Sequence, residues 1–274
     1  MINLLKIEWL KVKNYRAFIV IGIFFIVGIF VTNYIVNLFF EKVINESEAS
    51  KLINRFNPYT FKYVWQTISY TSGFILLLPA LLIIILLTNE FTFKTHRQNI
   101  IDGWSRMEFM HVKMLLALLF AIFSTVLVFI AGLIFGLSTK TDIEFVGIAH
   151  LGFFFLKALS YNMFAILVAI WIKKTGFAIG VYFIYMGAEN IIAQLLDVWS
   201  LKIKAKGSFD PGSMGNYLPM NASDGLLTFP DNPIKALTQN SFPSNYPNLV
   251  FGIAIAYLIL FYLLSRKKMI SSDL

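Results

Sequence analysis

The chain has no cysteine among its 274 residues, which excludes disulfide bridges, thiolate nucleophiles and thiolate-bound metals. Charged residues are also scarce, at 14% of the chain against about 25% in typical soluble domains. The three histidines lack metal-ligand spacing. The motifs GxxxxGK[ST], HExxH and GxSxG do not occur. We therefore predict no catalytic residue and no metal or cofactor site in this chain, and we do not expect an enzyme.

Long hydrophobic runs dominate what is present. Hydrophobic residues make up 58% of the chain, and a helix needs about 20 such residues to cross a bilayer. We predict an all-α membrane protein that forms a single polytopic membrane domain over 1–274, with six transmembrane helices. The predicted spans are 17–40, 70–87, 114–137, 146–172, 177–196 and 249–264.

The distribution of positive charge predicts an orientation. The formal net charge is +8. Segments on the same side as the N-terminus hold 13 Lys and Arg residues, and segments on the other side hold 9. Basic residues accumulate in cytoplasmic loops. We therefore expect a multi-pass protein of the bacterial plasma (inner) membrane with both termini in the cytoplasm, and we expect lipid rather than nucleic acid as its surroundings.

Residues 1–16 have the pattern of an amphipathic helix. Leu5, Trp9 and Val12 share one side of such a helix, whereas Lys6 and Lys13 lie largely elsewhere. A basic amphipathic helix before a span is typical of the membrane interface. Two interpretations stay open at this point, an ordinary anchoring flank and a helix that helps to form a docking site.

Proline and glycine inside the spans predict close packing. Pro79 removes a backbone donor from the second span and predicts a kink, which either serves packing or acts as a hinge. Gly132 and Gly136 form one GxxxG pair, and Gly176 and Gly180 form another. Such pairs let helix backbones approach closely. We favour packing within the chain over a dimer contact for both.

Two charged residues lie inside predicted spans. Lys157 in the fourth and Glu189 in the fifth come within roughly 5 Å in height when the two spans form an antiparallel hairpin. This register predicts an intramembrane ion pair, which either fixes the packing or contacts a substrate. Other polar residues with a possible translocation or packing role are His150, Tyr161, Asn190 and Gln194.

The segment 197–248 contains six of the eight prolines. Structureless loops of this length are uncommon. Apolar residues interspersed with the prolines predict a partly ordered external cap, with one short helix near 234–238.

The segment 89–113 is the most informative part of the chain. It is charged, patterned to form a helix, and far longer than a turn between two spans requires. It resembles the cytosolic coupling helix of type-2 ABC transporter permeases, whose motif reads E-x3-G-T and then P-x-S-R, followed by a lysine. Lys94 replaces the usual glycine, and Gly103 the usual proline. The matching positions are Glu90, Thr95, Ile100, Ile101, Ser105, Arg106 and Lys113.

This resemblance implies the transmembrane permease subunit of an ATP-driven ABC exporter. Such subunits pair with a second permease copy or a related permease and bind separate cytosolic ATPase subunits, which carry the ATP and Mg²⁺. The resemblance implies ATPase coupling through Glu90, Lys94, Thr95, Arg97, Asp102, Ser105, Arg106 and Lys113. The alternatives are a secondary transporter or channel that couples ions through Lys157 and Glu189, and a membrane-embedded enzyme.

Overall fold

The computed structural model describes residues 2–44, 56–101, 103–207, 209–231 and 243–271. Over these residues the chain is helical and contains no strand. It begins with a separate helix α1 (Ile2–Val12). Within the same residues, six helices are long and apolar enough to cross a membrane, so the chain is a multi-pass membrane protein. These spans, numbered first to sixth, are Arg16–Lys42, Val64–Thr92, Arg106–Ser138, Ala149–Ile172, Thr175–Ala205 and Pro247–Ser271.

The helices are longer than the apolar runs that predict them. The third span begins at Arg106 and not at 114, because Ser105 caps it. The fifth continues from 196 to Ala205 through a polar stretch. Hydropathy marks the part of a helix that suits hydrocarbon, whereas the hydrogen-bond ladder continues until the chain meets a cap or a turn.

The second span is not one regular helix. It consists of α2 (Val64–Ser72), a 3₁₀ turn (Gly73–Leu76) and α3 (Leu77–Thr92). The 3₁₀ turn ends three residues before buried Pro79. Proline has no N–H to donate to the carbonyl one turn earlier, and its ring crowds that carbonyl. The predicted irregularity is therefore present, one turn before the proline.

The fourth span forms the centre of the domain. In its most apolar window 78% of the residues are buried, against 17% in the first span and 22% in the fifth and sixth. The fourth span packs against the second, third and sixth. The peripheral spans consequently expose large apolar side chains that suit lipid or another membrane helix.

The two GxxxG pairs differ in what they face. A methyl group at Gly132 or Gly136 would lie 2.8 Å or 2.7 Å from the rings of Trp65 and Phe61, so these glycines let the second and third spans pack together. A methyl at Gly176 or Gly180 would meet nothing within 4 Å. Packing within the chain is confirmed for the first pair and is wrong for the second.

An even number of crossings places α1, segment 89–113 and the end of the sixth span on one side, here called the N-terminal side. On the opposite side the chain turns back after the fifth span. A 3₁₀ turn (Met214–Tyr217) and the short helix α4 (Asn221–Asp224) are packed against the fourth, fifth and sixth spans. The helix predicted near 234–238 lies outside the described residues.

Candidate functional site

The segment 89–113 contains the predicted helix, here named α5 (Thr95–Ile101). Tight turns precede and follow it. Lys94 adopts the left-handed φ of 57°, and Gly103 has a φ of 102°. Ser105 then caps the third span: its hydroxyl accepts from the Glu108 N–H at 3.1 Å, and its own N–H donates to Glu108 Oε2 at 2.8 Å. This reciprocal capping box fixes the end of the segment.

Four charged side chains form a cluster next to this segment, with Glu8 and Lys113 buried in it and Lys11 at its exposed edge. Lys113 donates to Glu8 of α1 and to Glu90 Oε1 at the end of the second span, the latter at 2.5 Å. Lys11 lies 2.9 Å from Glu8 Oε1 and 3.7 Å from Glu90 Oε1. Glu8 is 1% exposed and Lys113 is 5% exposed. We call these four residues the charge cluster.

The charge cluster balances two carboxylates against two ammonium groups. Burial on its own raises the pKa of Glu8, but the attraction and hydrogen bond of Lys113, to which Lys11 adds its own, outweigh burial and hold that pKa below its ordinary value. Glu8 is therefore ionised at neutral pH. Because its members come from α1, the second span and the third span, the cluster joins α1 to both ends of segment 89–113.

Further contacts attach the segment to the outermost spans. The Asn89 amide donates to the Tyr15 hydroxyl at 2.8 Å, next to the start of the first span. The Arg106 guanidinium donates to the Ile270 carbonyl at 2.9 Å, at the end of the sixth span. His96 bonds back to the Glu90 carbonyl at 3.0 Å. The segment is thus held by the first, second, third and sixth spans together.

Several of the predicted coupling residues have contacts within the chain. Lys113 pairs with Glu8 and Glu90 in the charge cluster. Ser105 serves as the helix cap, and Arg106 holds the sixth span. Asp102 lies outside the described residues. Among the described members of the predicted set, the exposed residues are Lys94, Thr95, Arg97 and Ser105.

Phe93 escaped the sequence reasoning, whereas Ile101 was one of the matching motif positions. Phe93 precedes α5 by two residues and is 73% exposed, and Ile101 is the last residue of α5 and is 76% exposed. Glu8 was also missed. The signal for Phe93 was its position in a polar segment, where a large apolar side chain has no core to enter. Glu8 gave the opposite signal, an acid in an otherwise basic helix.

Lys157 does have a counter-ion inside the membrane domain, but the partner is Asp224. Their Nζ and Oδ1 atoms lie 3.2 Å apart. Tyr161, one turn further along the fourth span, donates to the other carboxylate oxygen at 3.1 Å. The Lys157 ammonium also lies 5.3 Å from the Tyr161 ring and 5.8 Å from the Phe74 ring, so aromatic faces complete its surroundings.

Glu189 binds the other end of the same short helix. Its Oε1 accepts from the backbone N–H groups of Met220 and Asn221 at 2.6 and 2.8 Å, and from the Asn221 amide at 3.3 Å. A carboxylate is stabilised at a helix N-terminus because the first backbone N–H groups have no partner within the helix. Lys157 and Glu189 thus hold opposite ends of α4.

The predicted ion pair between Lys157 and Glu189 is therefore wrong. The register argument placed the two charges at similar heights but assumed that nothing lies between the spans. The returning segment supplies Asp224 and two backbone N–H groups, and each charge binds these closer partners. No pattern in the sequence distinguishes Asp224 from the other acids of the long external segment.

The remaining predicted polar residues do not join this site. His150 bonds to the Gly147 carbonyl at 2.9 Å. Asn190 and Gln194 are exposed on the fifth span, and the Asn190 amide donates only to the Met186 carbonyl of its own helix. Of the predicted polar residues on the fourth span, Lys157 and Tyr161 share a partner, since both contact Asp224, and His150 does not.

The described residues contain no group of three or more His, Cys, Asp or Glu side chains that could hold a metal ion. The arrangement of the two charged sites is instead one of paired and capped charges, which fixes how helices meet. Neither site brings a nucleophile together with a base.

No protein-family model matches the chain. No curated protein matches it either.

Proposed function

We propose that this chain is the transmembrane permease subunit of an ATP-driven ABC exporter and that segment 89–113 couples it to a separate cytosolic ATPase. The observation that carries the proposal is the combination of an exposed α5 with a rigid base. A force applied to α5 reaches four spans through the charge cluster, Asn89 and Arg106. An ordinary connecting loop needs no such attachments.

The exposed face of α5 has the composition of a docking surface. Phe93 and Ile101 offer apolar contact area, and Lys94 and Arg97 offer positive charge. Protein interfaces are enriched in aromatic side chains and arginine. We call these four residues the coupling surface and propose that it enters a groove of the ATPase whose rim is acidic.

The chain differs from the family motif at Lys94 and Gly103, and the turn geometry supports the resemblance at the first of these positions. Lys94 stands where the family usually has glycine, and its φ of 57° is the left-handed conformation that glycine adopts without strain. The backbone shape thus agrees with the motif although the residue differs. At Gly103 the φ of 102° is a value that proline cannot adopt. The backbone that leads into the third span therefore differs here from the one that the family's usual proline would give.

The positive-inside bias supports a cytoplasmic position for this surface. Segment 89–113 lies on the N-terminal side with α1, the basic turn at 173–174 and the basic end of the sixth span. We propose that this side faces the cytoplasm of a bacterium and that α1 lies in the membrane interface. ATP and Mg²⁺ then bind to the partner ATPase, since this chain has no phosphate-binding motif.

A second copy of the chain, or a related permease, is the proposed partner within the membrane. One side of the fifth span carries exposed Gly176, Gly187, Asn190 and Gln194, together with half-buried Gly180, which has open space beside it. Amide side chains facing hydrocarbon find partners by hydrogen bonding across helices, and glycines let the backbones approach. This face suits a neighbouring span better than it suits lipid.

The secondary-transporter alternative relied on Lys157 and Glu189 as coupling groups. Each of them now has partners on the returning segment, and such a structural role accounts for both. The weight of the observations therefore lies with the coupling surface.

Co-purification tests the proposal. The affinity-tagged chain is extracted from its host membrane, and the ATPase recovered per permease is measured for the wild type, Ile101→Asp and Arg97→Glu. Losing a charged contact or an apolar anchor at an interface costs about 2–5 kcal/mol, which is more than a tenfold loss of binding. The matched control is Lys202→Glu, an exposed lysine on the opposite side.

Full recovery of the ATPase with both variants would remove the coupling surface from the interface. Transport with no ATPase in the preparation would favour the ion-coupled alternative instead.

A further inference from the structure

A cavity of about 450 Å³ lies between the first and third spans, beneath α1. Its walls include Trp9 of α1, Phe18 and Gly22 of the first span, and Phe123 of the third. Among the described residues that line it, the polar side-chain groups are the Trp9 indole N–H and the Ser124 hydroxyl, and that hydroxyl donates to the Phe120 carbonyl at 2.7 Å. The rest of the wall is apolar, so the cavity suits hydrocarbon.

The cavity continues into a second groove that runs out along α1. This groove measures about 460 Å³ and shares Trp9, Leu116 and Leu119 with the cavity, and it reaches Lys6. Trp9 packs edge-on against Phe18 at 6.0 Å between ring centroids, so aromatic rings form the wall where the two spaces meet. Together they form a channel from the N-terminal side into the leaflet on that side.

The mouth of the channel is positively charged. Lys13 directly follows α1, and its N–H still bonds to the Trp9 carbonyl at 2.9 Å, so helical spacing places it on the same side as Lys6 and about 10 Å further along. Both are exposed, and no described carboxylate pairs with either, whereas Lys11 is occupied by the charge cluster. Lys6 thus lines the apolar channel without a described carboxylate partner, and Lys13 lies on the same side of the helical segment.

We propose that this channel binds one anionic phospholipid of the leaflet on the N-terminal side. An acyl chain fills the cavity between the first and third spans, and the phosphate lies between Lys6 and Lys13. A membrane-surface anion is the complement of two exposed lysines on an interfacial helix.

The two parts of the site have separate effects. Lipid tails are as apolar as the cavity wall, so the cavity holds the chain by packing and makes little distinction between headgroups. Each lysine near an anionic headgroup contributes about fivefold in binding. The preference for an anionic over a zwitterionic lipid therefore reports the contribution of the lysines to binding. The retention of either lipid at this site reports the contribution of the cavity.

Native mass spectrometry of the purified chain tests the site, with dioleoyl phosphatidylglycerol and dioleoyl phosphatidylcholine as probes. For the wild type we expect one phosphatidylglycerol to be retained at least tenfold more than phosphatidylcholine. The double variant Lys6→Gln/Lys13→Gln should lose this preference. Its matched control is Lys202→Gln/Lys206→Gln, which changes two exposed lysines on the opposite side.

Filling the cavity tests the acyl chain. Gly22→Leu projects a side chain into open space, since a methyl at Gly22 meets nothing within 4 Å, and it should reduce retention of both lipids. Gly252→Leu is the control, because Gly252 of the sixth span is equally open and lies far from the channel in the fold. Equal retention by these two variants would overturn the acyl-chain site.

The lysine variants keep the proposal testable if Gly22→Leu does not fold, because exposed lysines carry no core packing. Equal retention of the two lipids by the wild type, or an unchanged preference in the Lys6→Gln/Lys13→Gln variant, would overturn the anionic site. The result is independent of the ATPase, so failure of the proposed export function leaves this test intact.

Discussion

Lys113 and Glu8 are 105 residues apart in the chain and form a buried ion pair between the third span and α1. With Glu90 and Lys11 they make α1 part of the base that holds segment 89–113. Glu8 thereby joins α1 to the segment that we propose transmits force.

Removing one member of this ion pair should destabilise the protein strongly. Lys113→Met leaves Glu8 and Glu90 buried with only Lys11 to balance them, and an uncompensated buried charge costs about 3–5 kcal/mol. The double variant Glu8→Gln/Lys113→Met should regain part of that loss. Thermal unfolding in detergent measures it; strictly additive losses would argue against the pair.

Stability should depend on pH through Glu8. Its pKa in the folded protein lies below the ordinary value of 4.5, so the cluster's stabilisation is fully present above pH 4.5. The stabilisation is lost as the pH falls below 4.5 towards the lowered pKa. Unfolding measured between neutral and acidic pH should therefore show a steeper acid loss for the wild type than for Glu8→Gln. Parallel curves would contradict this role.

Double variants can identify the partner of Lys157. Asp224→Asn alone leaves a buried ammonium without its counter-ion, at a cost of about 3–5 kcal/mol, and adding Lys157→Met should restore most of it. Lys157→Met combined with Glu189→Gln should show no such recovery, because Glu189 binds backbone N–H groups instead. Recovery only in the second combination would restore the pairing that the helix register predicts.

The two GxxxG pairs should respond differently to alanine. Gly136→Ala forces a methyl against the Phe61 ring, and overpacking of this kind costs about 1–3 kcal/mol. Gly180→Ala enters open space and should leave the unfolding temperature of the monomer in detergent unchanged. A comparable loss at both positions would show that the space around Gly180 is filled in the folded chain.

The exposed face of the fifth span should cross-link between copies. Since the chain has no cysteine, Gly187→Cys and Gln194→Cys introduce single thiols on this face. Oxidation in membranes should produce a covalent dimer with at least one of them. Gly252→Cys on the sixth span is the matched control; equal dimer yield from it would indicate random collision.

Orientation can be measured with the same cysteine-free background. A thiol at Gln98 should stay unreactive towards an impermeant reagent in intact cells and react after the cells are opened. Lys140→Cys, exposed on the opposite side, is the positive control. Labelling of Gln98→Cys from outside would reverse the proposed topology.

The sequence by itself determined the membrane class and the number of spans, because about 20 consecutive apolar residues have no other stable surroundings than a bilayer. It also located a helix in segment 89–113 and the irregular turn near Pro79, since both follow from local backbone chemistry. Glycine packing could be predicted as a tendency, but which pair packs within the chain depended on where Phe61 and Trp65 lie.

Only the tertiary structure decided the partners of the buried charges. Lys157 and Asp224 are 67 positions apart and Glu8 and Lys113 are 105 positions apart, and charges at such separations meet according to how the helices pack. The register between two adjacent spans predicts the heights of their side chains in the membrane. It does not predict which groups from other parts of the chain lie between the spans. The segment after the fifth span places the short helix α4 in that space. Lys157 pairs there with Asp224, and Glu189 accepts from backbone N–H groups, because burying a charge without a partner has a high cost in free energy.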